Sequence, residues 1–209
     1  IILVPLTISS ASTGYQLPHG LFEDDSTQTF TANTPTVIDI TDAEKEYGMS
    51  LASNQITVDY AGCYDVDLLC RFNNTDSQIH NAYVWFRVNG TDVPHSCTNI
   101  TVPDKQGSTN GAAVAYVKHP LDLDANDYIE AVCAVDDVDV SLTAGAAITS
   151  PYTRPSIPSV SLTLCMAFPS QTSGTGIEPY ISARSKGQAT ITHLPNSVAN
   201  NTYDYVIIG

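Results

Sequence analysis

Apolar and polar residues alternate along two central stretches of the chain. In residues 64–72 and again in residues 82–88, every second residue is apolar. A period of two places one row of side chains in a core and the other row outside, which predicts two half-buried β-strands. The predicted inward rows are Tyr64, Val66, Leu68, Cys70 and Phe72 in the first strand, and Ala82, Val84, Phe86 and Val88 in the second.

Short turn signals separate the predicted strands. Asn89-Gly90 follows the second stretch, and both residues accept the positive φ angles that a two-residue hairpin needs. Residues 121–130 predict a strand, a tight turn and another strand. From residue 49 onward, strands and turns alternate at the spacing of sandwiches and barrels. Residues 41–46 have the spacing of a capping box and predict a single helical turn.

The two ends of the chain differ from its middle. Residues 1–25 join an apolar opening to a Ser, Thr and Gly stretch, which predicts an extended N-terminal arm. Residues 169–209 begin with a flexible linker and continue with strand-like stretches at 188–193 and 203–208. Because a lone hairpin is only marginally stable, the termini are expected to form a small β appendage. The predicted division is therefore an arm (1–25), a main domain (26–168), and a linker with a hairpin tail (169–209).

Five motifs in the main domain resemble a known family. They are QTFTANTP (28–35), ITVDYAGCYDV (56–66), VWFRVNGTDVPHS (84–96), LDLDANDYIEA (121–131) and RPSIPSVSLTL (154–164). Their order and spacing resemble the jelly roll of the tumour necrosis factor and complement globular-head superfamily, in the version found in virion proteins of tailed bacteriophages. The resemblance implies an all-β fold, an antiparallel jelly-roll sandwich that assembles as a homotrimer. Asn126 stands where the family more often has glycine.

Charge excludes some classes of partner. Charged residues make up 14% of the chain, against roughly 25% in typical soluble domains, and the formal net charge is −14. The eight basic residues are scattered, so neither nucleic acid nor an anionic membrane surface is an expected partner. A surface poor in charge is typical of subunits that bury much area in assemblies. The acidic excess favours solubility and repulsion between copies.

No catalytic motif or cofactor site is evident. The five histidines are dispersed, and no G-x-S-x-G motif occurs, so we expect neither enzymatic activity nor a cofactor. The best metal candidate is a weak calcium site at Asp122, Asp124 and Asp127, since Ca²⁺ prefers oxygen ligands from adjacent loops. Their spacing is not that of an EF-hand, and strand alternation would send many of the carboxylates to solvent. An acidic surface without metal is the favoured interpretation.

The five cysteines do not have the spacing of a zinc site or of a secreted disulfide framework. Four lie within alternating strands, which favours buried free thiols that pack as small hydrophobes. One or two disulfides are the alternative for a particle that lives outside a cell.

The resemblance and the composition together lead to one expected function and three alternatives. We expect a non-enzymatic, trimeric capsid decoration or cement protein on the outer surface of a phage head, bound to the major capsid protein or other virion proteins. One alternative is a tail fibre or receptor-binding protein that binds host glycans through Tyr83 and Trp85. The others are a secreted cytokine-like trimeric ligand and a carbohydrate-active enzyme.

Two sets of residues are expected to make contacts with partners. Outward tyrosines of the strands suit a trimer interface, because aromatic residues concentrate at interfaces. Apolar residues at the termini are expected to attach the subunit, since each large apolar side chain left in water forgoes roughly 1.5–3 kcal/mol of burial. The alternative is that both terminal segments extend the main sheets. The interface set is Tyr83, Tyr116 and Tyr128, and the attachment set is Ile1, Ile2, Leu3, Tyr203, Tyr205 and Ile207.

Overall fold

The fold of the described residues consists of β-strands, turns and loops, without a helix. The computed structural model describes residues 16–169, 180–185 and 188–192. The chain divides into two compact units, Ile1–Pro169 and Ser170–Gly209. No helix that could cross a membrane occurs in the described ranges.

Sixteen strands are present in the described residues. In chain order they are β1 (His19–Asp24), β2 (Gln28–Thr29), β3 (Thr36–Val37), β4 (Asp42–Tyr47), β5 (Met49–Ala52), β6 (Gln55–Val58), β7 (Gly62–Asn74), β8 (His80–Val88), β9 (Thr91–Asp92), β10 (Thr98–Val102), β11 (Gly111–Leu123), β12 (Tyr128–Val135), β13 (Val140–Leu142), β14 (Val160–Pro169), β15 (Tyr180–Ser185) and β16 (Gln188–Thr192).

Two antiparallel sheets face each other across a shared core in the first unit. The first sheet has the order β2-β13-β7-β14-β1-β4. Strands β13 and β14 pair with successive parts of one edge of β7, and β11 pairs with its other edge. The second has the order β10-β8-β12-β6-β5, with β3 paired to β12 and β9 paired to β8. One hydrophobic cluster contains side chains from both sheets, so the unit is a β-sandwich.

The alternating stretches form the centres of the two sheets. The five predicted inward residues of β7 are all fully buried, and so are Ala82, Val84 and Phe86 of β8. Val88 is partly buried against the same core. The predicted strands and their inward faces are therefore confirmed.

Both predicted turns are confirmed. Asn89 and Gly90 have φ angles of 51° and 75°, and they join β8 to β9 with Arg87 opposite Asp92. Asn126, in the turn between β11 and β12, has a φ of 73°. Asparagine occupies this left-handed region more readily than most residues, which is why a turn of this kind accepts it.

The structure corrects two expectations near the N-terminus. Residues 41–46 do not form a helical turn: Asp42–Tyr47 is β4, an edge strand with all six residues exposed. The capping-box spacing is a local signal, and pairing with β1 overrides it. Residues His19–Asp24, assigned to the arm, form β1 between β14 and β4. Its buried row of Gly20, Phe22 and Asp24 contains one large apolar residue, so no apolar period reveals the strand.

The two sheets approach closely where β10 of the second lies beside β11 of the first. A Cβ atom added to Gly111 would lie 1.7 Å from the carbonyl oxygen of Pro103. The fully buried Asn74 donates to the carbonyl oxygens of Gln78 (2.8 Å) and Pro103 (3.0 Å), and accepts from the Asp76 N–H (2.9 Å). This edge depends on main-chain contact that only glycine permits.

In the second unit, β15 and β16 form an antiparallel pair. The stretch at 188–193 was expected to pair with 203–208. Within the described residues its strand β16 pairs with Tyr180–Ser185, and the expected pairing with 203–208 stays a prediction, since 203–208 lies outside those residues.

Candidate functional site

An open cleft lies on the outer face of the second sheet. It has a volume of about 440 Å³. The lining residues are Tyr83, Trp85, Asp92, Val93, Cys97 and Ala134, and we call it the Trp85 cleft. Tyr83 and Trp85 are successive outward residues of β8, so both rings stand on the same side of the sheet.

The cleft exists because the hydrogen-bond ladder of β8 is interrupted at Phe86. The Val93 N–H donates to the Phe86 carbonyl (2.9 Å), and the Phe86 N–H donates to the hydroxyl of Ser96 (3.1 Å). That hydroxyl in turn donates to the Val93 carbonyl (2.9 Å), and Ser96 is buried. The five residues between β9 and β10 therefore face only Trp85 and Phe86 of β8, and two of the five, Val93 and Cys97, line the cleft.

Strand β12 supplies the floor of the cleft. Its Ala134 lies opposite Tyr83, and its Val132 lies opposite Trp85. Ala134 has a short side chain, which leaves depth beside the ring of Tyr83. Val132 is fully buried although it belongs to the outward row of β12. The sheet surface under the two rings is thus apolar.

A fixed carboxylate borders the two rings. Asp92 Oδ1 accepts from Trp85 Nε1 (2.8 Å) and from Arg87 Nε (2.6 Å). The guanidinium carbon of Arg87 lies 6.0 Å from the centroid of the Trp85 ring, within the range of a cation–π contact. The bonds from Arg87 and Trp85 lower the pKa of Asp92, so its carboxylate is ionised at neutral pH.

Tyr83 and Trp85, which were expected to bind glycans in a tail protein, both line this cleft, whereas Asp92 and Arg87 were not predicted. A two-residue turn at Asn89-Gly90 places Arg87 opposite Asp92, so the hairpin signal was sufficient to find that pair. No such signal exists for the other lining residues. The positions of Val93 and Cys97 depend on the interrupted hydrogen-bond ladder at Phe86, and the position of Ala134 depends on the pairing of β8 with β12.

The three predicted interface tyrosines do not share one face. Tyr83 and Tyr128 belong to the outward rows of the second sheet, and Tyr116 belongs to that of the first. Tyr83 is 37% exposed and Tyr116 is 58% exposed. The trimer interface remains a prediction, and it would have to involve two different faces of the subunit.

Strand β11 presents the most exposed apolar side chains of the first sheet. Val114 and Tyr116 point outward from this edge strand, and the Tyr116 hydroxyl donates to Asp67 of β7. Lys118 Nζ lies 3.6 Å from Asp65 and 3.5 Å from Asp67. These carboxylates raise the pKa of Lys118. A lysine and the following Pro120 on an edge strand discourage unspecific strand pairing.

The calcium candidate residues act within the β11–β12 turn. Asp127 Oδ2 accepts from the Asp124 N–H (2.8 Å), and Asp127 Oδ1 accepts from Asn89 Nδ2 (2.7 Å). Asp122 lies on the outward row of β11 and is exposed. Within the described residues, no group of three or more His, Cys, Asp or Glu side chains is arranged to hold a metal ion.

All five cysteines are free thiols, but only two are buried. Cys70 and Cys133 lie in the core, and burial raises the pKa of Cys133 to about 12. Cys63 is half-buried on the outer face of β7, while Cys97 and Cys165 are exposed. Alternation predicts that a cysteine lies in a strand. Whether its thiol is buried depends on whether it belongs to the inward or the outward row of that strand.

A histidine links two loops at one end of the sandwich. His80 Nε2 lies 3.0 Å from Asp76 Oδ2, and Nδ1 lies 3.4 Å from Asp136 Oδ1. The hydrogen bond that His80 donates to Asp76 raises the pKa of His80, with further contributions from the charges of Asp137 and Asp136. The folded state therefore binds the proton more tightly than the unfolded state does.

We expect the His80→Gln variant to be less stable than the wild type in mildly acidic solution only. A raised folded pKa gives stability that is fully present below the unfolded pKa, about 6.5, and is lost as pH rises through the folded pKa. Melting temperatures of both proteins across the range from about pH 5 to 9 test this. His119→Gln is the control, and a difference that does not shrink towards alkaline pH would contradict the ionic role.

Comparison with known proteins gives no assignment. No protein-family model matches the chain, and no curated protein matches it.

The predicted attachment residues at both termini lie outside the described residues.

Proposed function

We propose that the protein is a non-enzymatic structural subunit of a tailed-phage virion, a homotrimer that decorates the outer surface of the head. The observation that carries the proposal is the nested pairing of eight strands: β1 with β14, β6 with β12, β7 with β11, and β8 with β10. This pairing is what a jelly roll requires, because the chain folds back on itself as a doubled strand. It supports the family resemblance of the sequence motifs.

The surface of the sandwich supports self-association. Val114 and Tyr116 are each more than half exposed on the outer face of the first sheet. Exposed apolar side chains in one neighbourhood are typical of protein–protein contact sites. In a ring of three subunits, each copy uses two different surface patches. Tyr83 and Tyr128 on the second sheet are therefore the expected partners of Val114 and Tyr116 on β11 of the next copy.

We expect the purified chain to be a trimer, and the double variant Val114→Ser, Tyr116→Ser to be a monomer. Replacing both side chains removes the apolar patch, while neither residue contributes to the core. Light scattering at micromolar concentration measures the mass of each protein. Tyr152→Ser is the matched control, because Tyr152 is 63% exposed in a loop away from the strands. A monomeric wild type would overturn the trimer.

The copy number in purified virions tests the location. A decoration protein is present at a copy number comparable to that of the major capsid protein, and quantitative mass spectrometry measures the ratio. A ratio typical of tail proteins would overturn the head location.

The second candidate is a tail receptor-binding protein. The Trp85 cleft favours it, because a cleft bordered by aromatic rings and a fixed carboxylate suits a surface glycan.

A further inference from the structure

We propose that the Trp85 cleft binds a neutral pyranose residue of a saccharide chain, whether the protein belongs to the head or to the tail. The inference rests on three features that meet at one place: two neighbouring outward aromatic rings, an ionised carboxylate with an unused oxygen, and an open concavity beside them.

The aromatic rings supply the apolar part of the site. One face of a pyranose ring carries mainly C–H groups, and these pack against the electron-rich face of an aromatic ring. Tyr83 and Trp85 both line the cleft, and Ala134 leaves space between the rings and the sheet. Because side chains two residues apart on a strand point the same way, both rings are held by the backbone of β8 itself.

Asp92 and Arg87 supply the polar part. Both hydrogen bonds from Trp85 and Arg87 go to Asp92 Oδ1, and Oδ2 accepts none from the part of the chain that the structure describes. The two terminal nitrogens of Arg87 likewise donate to no described residue. Asp92 lines the cleft and Arg87 does not, so the free Oδ2 is the acceptor available to a sugar hydroxyl, and Arg87 acts by holding the carboxylate. The bonds to Oδ1 hold the carboxylate in place before a ligand arrives.

Charge and shape decide between kinds of saccharide. The ion pair of Asp92 with Arg87 has no net charge, but the chain has a formal net charge of −14, which favours a neutral sugar over an anionic one. A lipid or other wholly apolar ligand would desolvate the carboxylate without pairing it, which is costly. The cleft is open to solvent, so the rest of a saccharide chain can stay in water while one residue is bound.

Trp85 provides a direct measurement, because it is the only tryptophan of the chain. Titration of the full-length protein with methyl glycosides of glucose, galactose, mannose and N-acetylglucosamine should change the tryptophan emission saturably for at least one of them. Sorbitol is the ligand control, since it has the hydroxyls of a hexose but no ring with an apolar face.

Variants separate the two parts of the site. Tyr83→Ala should weaken binding of the responding sugar by about tenfold, the equivalent of one lost aromatic contact. Asp92→Asn should weaken it as well, because the amide replaces a charged acceptor while keeping its shape. Tyr152→Ala removes an equally accessible tyrosine from a loop outside the cleft and should leave affinity unchanged. Near-ultraviolet circular dichroism and the melting temperature confirm that each variant is folded.

Three results would overturn the proposal. The first is the absence of a saturable change in emission with every glycoside up to its solubility limit. The second is an equal response to sorbitol, which would mean that no ring is recognised. The third is unchanged affinity in folded Tyr83→Ala and Asp92→Asn proteins, which would place the sugar elsewhere. Tyr83 also belongs to the expected trimer interface, so light scattering of Tyr83→Ala must show an unchanged mass before its affinity is compared with that of the wild type. Asp92 lies outside that interface set, so Asp92→Asn tests the sugar site separately from the trimer, and no measurement depends on copy number.

Discussion

Replacing Asp24 with alanine is expected to lower the free energy of unfolding by about 3 kcal/mol, since several hydrogen bonds to one buried carboxylate would be lost together. Asp24 is 1% exposed at the end of β1. Its Oδ1 accepts from the Ser26 N–H (2.8 Å), the Ser26 hydroxyl and Gln28 Nε2 (3.2 Å), and its Oδ2 accepts from the Thr41 hydroxyl (2.9 Å). The carboxylate therefore ties the segment that follows β1 to the strand itself.

Urea denaturation of the variant and the wild type measures this difference. Asp25→Ala is the matched control, because the neighbouring carboxylate is exposed and its removal should change stability by less than about 0.5 kcal/mol. If the two variants were equally stable, the buried network would not contribute to stability.

The effect of Asp24 should also depend on pH. Burial alone would raise the pKa of Asp24, but hydrogen bonds from Ser26, Thr41 and Gln28 outweigh it and lower the pKa. A lowered folded pKa gives stability that is present above the unfolded value, about 4, and is lost as pH falls through the folded pKa. The difference between wild type and Asp24→Ala should therefore narrow in strong acid.

The Gly111→Ala variant is expected to lose at least about 3 kcal/mol of stability, at the upper end of the cost of overpacking. The added Cβ would lie 1.7 Å from the carbonyl oxygen and 2.6 Å from the carbonyl carbon of Pro103. Both atoms belong to the backbone, so no side-chain rotation can relieve the clash. The edges of the two sheets would have to separate, which would also strain the hydrogen bond from Asn74 to Pro103.

Gly107→Ala is the control for this prediction. No atom lies within 4 Å of a Cβ added there, but Gly107 has a φ of +62°. Alanine should therefore cost only the strain of a left-handed residue, about 1–2 kcal/mol. Thermal unfolding of both variants compares the two costs, and similar losses would mean that the sheets are not in close contact at Gly111.

The central strands could be predicted from the sequence because their alternation is strong and their turns are specific. Strand β7 buries every second residue, and Asn89-Gly90 has the dihedral angles that its hairpin needs. Strands β1 and β4 could not be found in this way. The buried row of β1 includes a glycine and an aspartate, and β4 has no buried residue at all. Both strands depend on pairing with distant segments.

The candidate site shows the same distinction between local and distant determinants. Arg87 and Asp92 are related by one turn, so their ion pair follows from the local sequence. Ala134 reaches the cleft only because β12 pairs with β8 in one register, with Tyr83 opposite Ala134. A shift of that register by one residue would move a different row of β12 under the rings. The sequence alone is therefore enough to pair Arg87 with Asp92, but it is not enough to place Ala134 in the cleft.

The pairing of β1 with β14 has a consequence for synthesis of the chain. His19 pairs with Cys165 and Asp24 with Val160, so β1 leaves the ribosome more than a hundred residues before the strand with which it pairs. Pairing between distant segments slows folding and leaves unfinished sheet edges exposed while the chain is incomplete. The nascent chain is therefore expected to stay vulnerable to aggregation and proteolysis until β14 emerges. Truncations that end before Val160 should accumulate as insoluble or degraded protein, even though the pair β7–β11 is complete in them.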